Sequence, residues 1–546
     1  VRDLDGNGFD DLVLAGKNRV YANRGGGRFE AGVLAPRLAG PLVSALLVDV
    51  DGDGRADLVG ADPGGLVVVR GAGRLPLDGE PERQPLPGLQ DPFVLTAGDL
   101  DGDGDVDLWL AQYKVPYRYG QMPRPYHDAN DGFPAYLLRN DGQGRFTDAT
   151  PGSGLEARRF RRTYSAGWVD VDDDGDLDLV NVSDFAGVDL YRNAGSGRFT
   201  DVTAANLPDP QVLGMALAVA DFDRDLRPDL LAIGMNSAVA ERLDQLGLVL
   251  PGFSREAAQR APMTYGNRWW SNAGGGRFVP APQARELAAT GWSWGVAVAD
   301  FDNDGDDDVY VVNGHKSGTS ARDYETEFWT HDVHLGAGAA LDPALDLYFR
   351  GVARRRYGAG DSYGGHQRNQ LRLRLASGSF VEAGWLMGLA LPEDCRNVAA
   401  TDLDGDGRLD LVVTSERHGA APGWEIRVLR NTGPAGAWLD VGLPVERPGW
   451  DGALQVELET SAGRERRWVL AGDSYRSQSA PRIHFGLRSG AQPRQVTLTR
   501  PGGRRLVAAV ARVESAAGEG WRVRPDAFHD PDPPPSPVQG SSRTAR

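Results

Sequence analysis

Around Asp170 the chain alternates apolar runs with one dense polar loop: SAGWV leads into DVDDDGDLD, and LVNV leaves it. A third run ends on Asn193 (LYRN), a glycine turn follows, and a short last run begins on Phe199 (AGSGRFTDVT). Short β-branched and aromatic runs punctuated by glycine turns predict a four-stranded antiparallel meander. The unit recurs. Third runs end at Asn140 (LLRN), Asn272 (WWSN) and Asn431 (VLRN), and the turns continue into DGQGRFTDAT and AGGGRFVPA. The polar loop occurs seven times, beginning at Asp3, Asp49, Asp99, Asp170, Asp221, Asp300 and Asp402. The pattern predicts an all-β fold whose units stack radially into a seven-bladed β-propeller over residues 1–435, an arrangement that shields most sheet edges.

Three units are longer than the rest, and their extra residues follow the second strand. They are Tyr113–Ala135 after LWLAQ, Asn236–Gly266 after LLAIGM, and His315–Arg368 after VYVVNG. The second contains a short helix in SAVAERLDQLGLVL, with Ser237 as its N-cap. In a meander the polar loop (strands one to two) and the glycine turn (three to four) share one end. The two-to-three connection lies at the other, so the insertions are expected opposite the polar loops. After Asn431 the repeat stops. Residues 436–525 alternate as strands (ALQVELE, RQVTLTR) without an acidic loop and are expected to form a small C-terminal β domain. Residues 526–546 are Pro- and Ser-rich and expected to be disordered. Only two residues precede the first loop, so that unit lacks its opening strand, and the chain start reads as a processed or cropped end.

The polar loops carry metal-ligand spacing. Positions 1, 3, 5 and 9 are Asp3, Asp5, Asn7 and Asp11; Asp49, Asp51, Asp53 and Asp57; Asp99, Asp101, Asp103 and Asp107; and Asp170, Asp172, Asp174 and Asp178. The last three loops continue with Asp221, Asp223, Asp225 and Asp229; Asp300, Asp302, Asp304 and Asp308; and Asp402, Asp404, Asp406 and Asp410. Alternate side chains converge on one point. Position 7 adds a backbone carbonyl from Phe9, Arg55, Asp105, Asp176, Arg227, Asp306 or Arg408, and glycine at position 6 permits the sharp turn. Hard oxygen donors without His or Cys select Ca2+. The fifth loop has Leu226 at position 6, where a left-handed backbone costs a side chain about 1–2 kcal/mol. With Arg224 bringing positive charge nearby, it is expected to bind least tightly.

The formal charge of −17 over 546 residues argues against nucleic acid as a partner. Much of that acidity sits in the loops; seven divalent cations would add fourteen charges, moving −17 to about −3. No apolar run approaches the length of a membrane span. Cys395 is the sole cysteine, so no internal disulfide forms, and it reads as a small core residue.

The repeats resemble the FG-GAP/VCBS family, also found in integrin α-chain propellers, where the acidic loop holds calcium between the first two strands of a blade. The segment AGDSYRSQSAPRIHFGL resembles the hallmark of the ASPIC/UnbV domain through Gly472, Tyr475, Ser477, Gln478, Ser479, Pro481, His484, Phe485, Gly486 and Leu487. An earlier hallmark stretch is degraded here to PGWDGALQ. The two parts together resemble the cartilage acidic protein family in a bacterial-looking version. That resemblance implies export (secreted, periplasmic or cell surface) and calcium binding.

These features give a calcium-stiffened binding or adhesion scaffold whose partner is an extracellular glycan or a matrix or surface protein. The insertions, as loops on a rigid frame, supply the candidate ligand contacts: Tyr113, Tyr117, Tyr119, Tyr126, Trp329, His315, His331, His334 and His366. The alternative is an exported enzyme using HDVH (His331, Asp332, His334), although no third ligand stands at diagnostic spacing. Tyr475, Ser477 and Gln478 form a further polar surface candidate. His484, between Ile483 and Phe485, reads as a structural strand residue.

Overall fold

The computed structural model describes residues 1–116, 123, 127–249, 251–252, 254–331, 343–417, 423–434, 436–447, 449–513 and 520–531. Among them the chain up to Leu429 forms seven antiparallel sheets in sequence order. Sheet 4 shows the full pattern, with strands Arg162–Val169, Asp178–Asp184, Gly187–Asn193 and Phe199–Asp201 paired consecutively. Sheets 2, 3, 5 and 6 repeat it, opening with Ser44–Val48, Pro92–Gly98, Gly214–Ala220 and Ser293–Ala299. Sheet 1 (Leu12–Leu14, Arg19–Asn23, Phe29–Val33) and sheet 7 (Asp394–Thr401, Asp410–Arg417, Gly423–Leu429) have three strands each.

The opening strands pack side by side from sheet 2 through sheet 7. Second strands such as Asp107–Gln112 and Asp178–Asp184 are buried at every residue, because a neighbouring sheet covers each face. In sheets 2 to 6 the outermost strands are only three residues long. Their leading Phe199, Phe278 and Phe380 point inward, while the following residues meet solvent. Sheets 1 and 7 are also neighbours: Leu12 packs with Leu403 and Val412, and Asn23 Nδ2 donates to the Leu403 carbonyl at 2.8 Å.

All three insertions join second to third strands, as the meander requires. They contain helices Ala238–Gln245, Ser254–Met263, Glu325–His331 and Pro343–Gly358. The Ser237 side chain caps the first of these by accepting from Ala240 N at 3.0 Å. The insertions pack on one another. Leu243, Met263, Tyr324, Phe328, Trp329 and Val352 share one core with Trp292 and Trp294.

Two further four-stranded sheets follow and share their own core of Leu439, Trp450, Val456, Phe485 and Val496. One contains a parallel pair, Ala437–Gly442 with Gly520–Val523. Phe528 lies in this core, and His529 exchanges two backbone hydrogen bonds with Val507. The tail expected to be disordered from residue 526 is therefore held by packing through His529. Its remainder, residues 532–546, lies outside the described residues.

These C-terminal sheets stand on the acidic-loop end. A Cβ on Gly54 would meet the Glu446 carbonyl, one on Gly305 would meet Arg488, and one on Gly407 would meet the Trp438 ring. From here the segment Ala471–Gln478 runs across the middle of the opening strands. Ala97 N donates to Ala471 O (3.1 Å), Ser165 Oγ to Ser474 O (2.6 Å), and Ser474 N to Leu217 O (3.2 Å). Val296 N donates to Ser474 Oγ (2.9 Å), and Asn397 Nδ2 to Tyr475 O (2.5 Å). Gln478 bonds both backbone groups of Leu47, at 2.8 and 2.9 Å. One short segment thus touches the opening strands of sheets 2 to 7.

Candidate metal centres

Each acidic loop is built by its own carboxylates. The position-1 aspartate folds the turn: Asp49 accepts from Gly52 N (2.8 Å) and Gly54 N (2.9 Å), and Asp402 from Gly405 N and Gly407 N (both 2.8 Å). These bonds need a left-handed backbone at position 6, and the structure shows one at position 4 as well. Gly52, Gly102 and Gly405 lie at φ 72°, 76° and 77°, and Asp173, Arg224 and Asn303 hold the same place at 64°, 63° and 57°. Sequence reasoning identified only the position-6 requirement. Leu226 does adopt φ 69°. Arg224, however, does not face its own loop; its guanidinium turns to Gly305 O and Asp306 of the sixth loop, correcting the expected charge conflict at the fifth site.

Position 9 is buried throughout and ties the loop to its sheet. Asp178 accepts from Val171 N at 3.0 Å and Asn193 N at 2.8 Å, and Asp410 accepts likewise from Leu403 N and Asn431 N. Position 5 accepts from the position-7 N–H, as Asp103 does from Asp105 at 2.9 Å. Position 3 is different. One oxygen is held by an arginine from the third strand or the turn after it: Arg24 for Asp5, Arg70 for Asp51, Arg139 for Asp101, Arg192 for Asp172 and Arg430 for Asp404. The Oδ1 atoms of Asp5, Asp101, Asp172 and Asp404 are buried without a hydrogen-bond partner.

Around those atoms other carboxylates crowd in. Asp3, Asp5 and Asp11 present oxygens within 4.8 Å of one another, as do Asp49, Asp51 and Asp53; Asp99, Asp101 and Asp103; Asp170, Asp172 and Asp178; and Asp221, Asp223 and Asp225. Burial, reinforced by neighbouring carboxylates, pushes Asp11 up to about 6, Asp107 and Asp229 to about 7, Asp178 to about 8 and Asp308 to about 9. Such a cluster favours protons or a cation. All-oxygen donors around an orphaned oxygen fit a hard cation of calcium's type.

Asn193 explains the recurrent asparagine. Its Nδ2 donates to Leu177 O in its own loop and to Leu100 O in the preceding sheet's loop, at 3.1 and 2.9 Å. Asn140 reaches Val50, Asn272 reaches Val171, Asn431 reaches Phe301, and Asn23 reaches Leu403 in the same way. Sequence reading recorded the residue without its purpose, because the partner lies a whole unit away.

The insertion candidates fare differently. Tyr113 is buried, stacked on Tyr164 at 4.0 Å and donating to Asp184 at 2.9 Å. Trp329 is 1% exposed. Neither can contact a ligand, because Tyr113 is packed against the opening strands and Trp329 lies in the core that the insertions share. His315 lies between the Trp292 and Trp294 rings, at 4.4 and 5.5 Å. His366 is exposed, with Nε2 3.1 Å from Gly318 O. Tyr117, Tyr119, Tyr126, His334 and the His331 side chain lie outside the described residues. Tyr475 is also buried, and Gln478 is committed to Leu47, which corrects their reading as an open polar surface. Burial pushes the Cys395 thiol up to about 11, leaving it unreactive. His484 is half-buried, and loss of solvent around the ring pushes it down to about 3, keeping it neutral, with Nε2 2.6 Å from Asn303 in the sixth loop.

An FG-GAP-like repeat model matches residues 3–59, 49–110, 170–232 and 259–311, and an FG-GAP repeat model matches 396–424. An ASPIC and UnbV model matches residues 447–514. Cartilage acidic protein 1 of Mus musculus is 27% identical over 484 residues, covering 77% of this chain and 72% of that protein. The Homo sapiens protein is 26% identical over 331 residues, and that alignment takes in 39% of its length. Among solved structures, an Agrocybe aegerita lectin studied for recognition of non-reducing terminal N-acetylglucosamine shows 16% identity and a TM-score of 0.41. It covers 78% of this chain and 91% of its own. The acidic-loop repeats, the crossing segment and the relatives agree: the chain joins FG-GAP repeats to an ASPIC/UnbV domain and over most of its length is a relative of cartilage acidic protein 1.

Proposed function

We propose that this chain is an exported, calcium-braced scaffold: a seven-bladed propeller (residues 1–435) clasped by an ASPIC/UnbV-like unit (436–525), holding an extracellular glycan or surface protein. The ring reading draws support from Asn23, which bonds sheet 1 to sheet 7 as Asn193 bonds sheet 4 to sheet 3. The observation that carries calcium is the buried, unpartnered position-3 oxygen of Asp5, Asp101, Asp172 and Asp404. Leaving such a group unmade is costly, and a coordinated cation satisfies it.

Calcium here is structural. Binding replaces repulsion among carboxylates with coordination, so its free energy adds to folding. Loops of this kind in extracellular modules bind at roughly 10⁻⁴–10⁻³ M, an affinity suited to calcium-rich surroundings. The test is metal titration of the stripped full-length chain, with bound calcium counted and melting followed. Uptake approaching seven ions per chain, a marked rise in melting temperature and poor rescue by magnesium are expected. An unchanged melting curve when chelator is added to metal-loaded protein would overturn the reading.

A further inference from the structure

Away from the acidic loops, the middle of the sheets opens into a cavity of about 1030 Å³, large enough for a short oligosaccharide. Its walls come from sheets 1, 2 and 7, three of the sheets without insertions, with parts of sheets 3 and 4. Its floor is the segment Gly472–Gln478. Three of its cations form no ion pair among the described residues: Lys17 and Arg19 on the first hairpin, and Arg476 on the floor. Two lining acids are engaged, Glu416 by Arg396 at 3.4 Å and Glu425 by Arg417 at 3.0 Å, and Asp473 is half-buried.

Arg476 is held in place rather than left to wander. Its backbone sits at φ 49°, its guanidinium lies 4.4 Å over the Phe93 ring, and Nη2 donates to the Val43 carbonyl. Its Nε and Nη1 make no hydrogen bond among the described residues. A fixed guanidinium with open donors matches a carboxylate or sulfate in fork geometry. On the wall, Trp424 is 48% exposed, an indole surface with no partner ring among the described contacts. An aromatic face and a fixed guanidinium in one cavity suit a pyranose ring that carries an anion.

We propose that this cavity binds an anionic sugar, with Arg476 receiving the acid group and Trp424 the apolar face of a ring. The proposal rests on the scaffold reading and supplies its ligand class. The experiment uses the calcium-loaded full-length chain and a matched pair of probes, glucuronate-branched xylotetraose and unbranched xylotetraose, followed by calorimetry and tryptophan fluorescence. The branched sugar is expected to bind at least tenfold more tightly and more weakly as salt rises. Arg476→Ala and Trp424→Ala should each weaken it at least tenfold, and Arg476→Lys should recover only part of the loss. Calcium stoichiometry and melting temperature, measured on each variant, separate lost contact from lost fold. Equal binding of both sugars, equally tight binding of tetraglutamate, or no binding by a chain that still takes up calcium would overturn the sugar assignment. That last result would leave the calcium scaffold standing, whereas loss of calcium uptake in the wild-type chain would remove both.

Discussion

Replacing Asn193 by alanine isolates the bond that joins neighbouring units. The carboxamide donates to Leu100 O (2.9 Å) and Leu177 O (3.1 Å) and accepts from Gly195 N (3.2 Å) and Gly197 N (3.1 Å). All but the Gly195 contact are buried. A buried hydrogen bond contributes about 1 kcal/mol net, so truncation should cost about 3 kcal/mol, and more where a carbonyl is left without water. Asn431 gives the comparison: it makes one bond to Phe301 O (2.8 Å) and one exposed bond from Gly433 N (2.9 Å), so Asn431→Ala should cost about 1 kcal/mol. Urea unfolding at saturating calcium measures both. A loss below about 1 kcal/mol at Asn193, or a larger loss at Asn431, would refute the argument that this carboxamide locks successive sheets together.

Leu226→Gly relieves a left-handed leucine and should stabilise the fifth loop by about 1 kcal/mol after allowing for the greater freedom of unfolded glycine; looser calcium binding in that variant would show that the side chain supports the turn. The metal-free chain should lose stability as pH rises. Asp107, Asp178, Asp229 and Asp308 have folded values of about 7 to 9, raised above their unfolded value, so their contribution is present at acid pH and lost as pH climbs through that window. Melting temperature in chelator should fall from pH 5 to 9 and flatten with calcium; a rise with pH in chelator would contradict this.

What the sequence made legible was local. The acidic loops, the strand order, the Ser237 cap and the insertion positions depend on residues within one unit, where spacing and alternation report directly. What it hid was relational. Tyr113 and Trp329 look like surface aromatics in long loops, yet they are buried, Tyr113 against Phe93 and Tyr164 of the opening strands and Trp329 in a core shared with another insertion. Gly486 looks like a motif ornament, but a Cβ there would strike Asp300 of a distant loop, and one on Gly472 would strike Leu95 O. Arg224 shows the same limit, since its partner is in the next loop.

The segment crossing the opening strands bears on how such a chain can change over generations. Repeat proteins commonly gain or lose a unit by duplication or deletion, because each repeat mainly contacts its neighbours. Here Ala471 meets the opening strand of sheet 3, Ser474 those of sheets 4 to 6, Tyr475 that of sheet 7 and Gln478 that of sheet 2. Inserting or removing a unit would shift the remaining strands out of register with these partners, even if neighbouring sheets still packed together. The repeat number is thereby inherited together with the C-terminal segment, and the two are constrained to evolve as a single lineage.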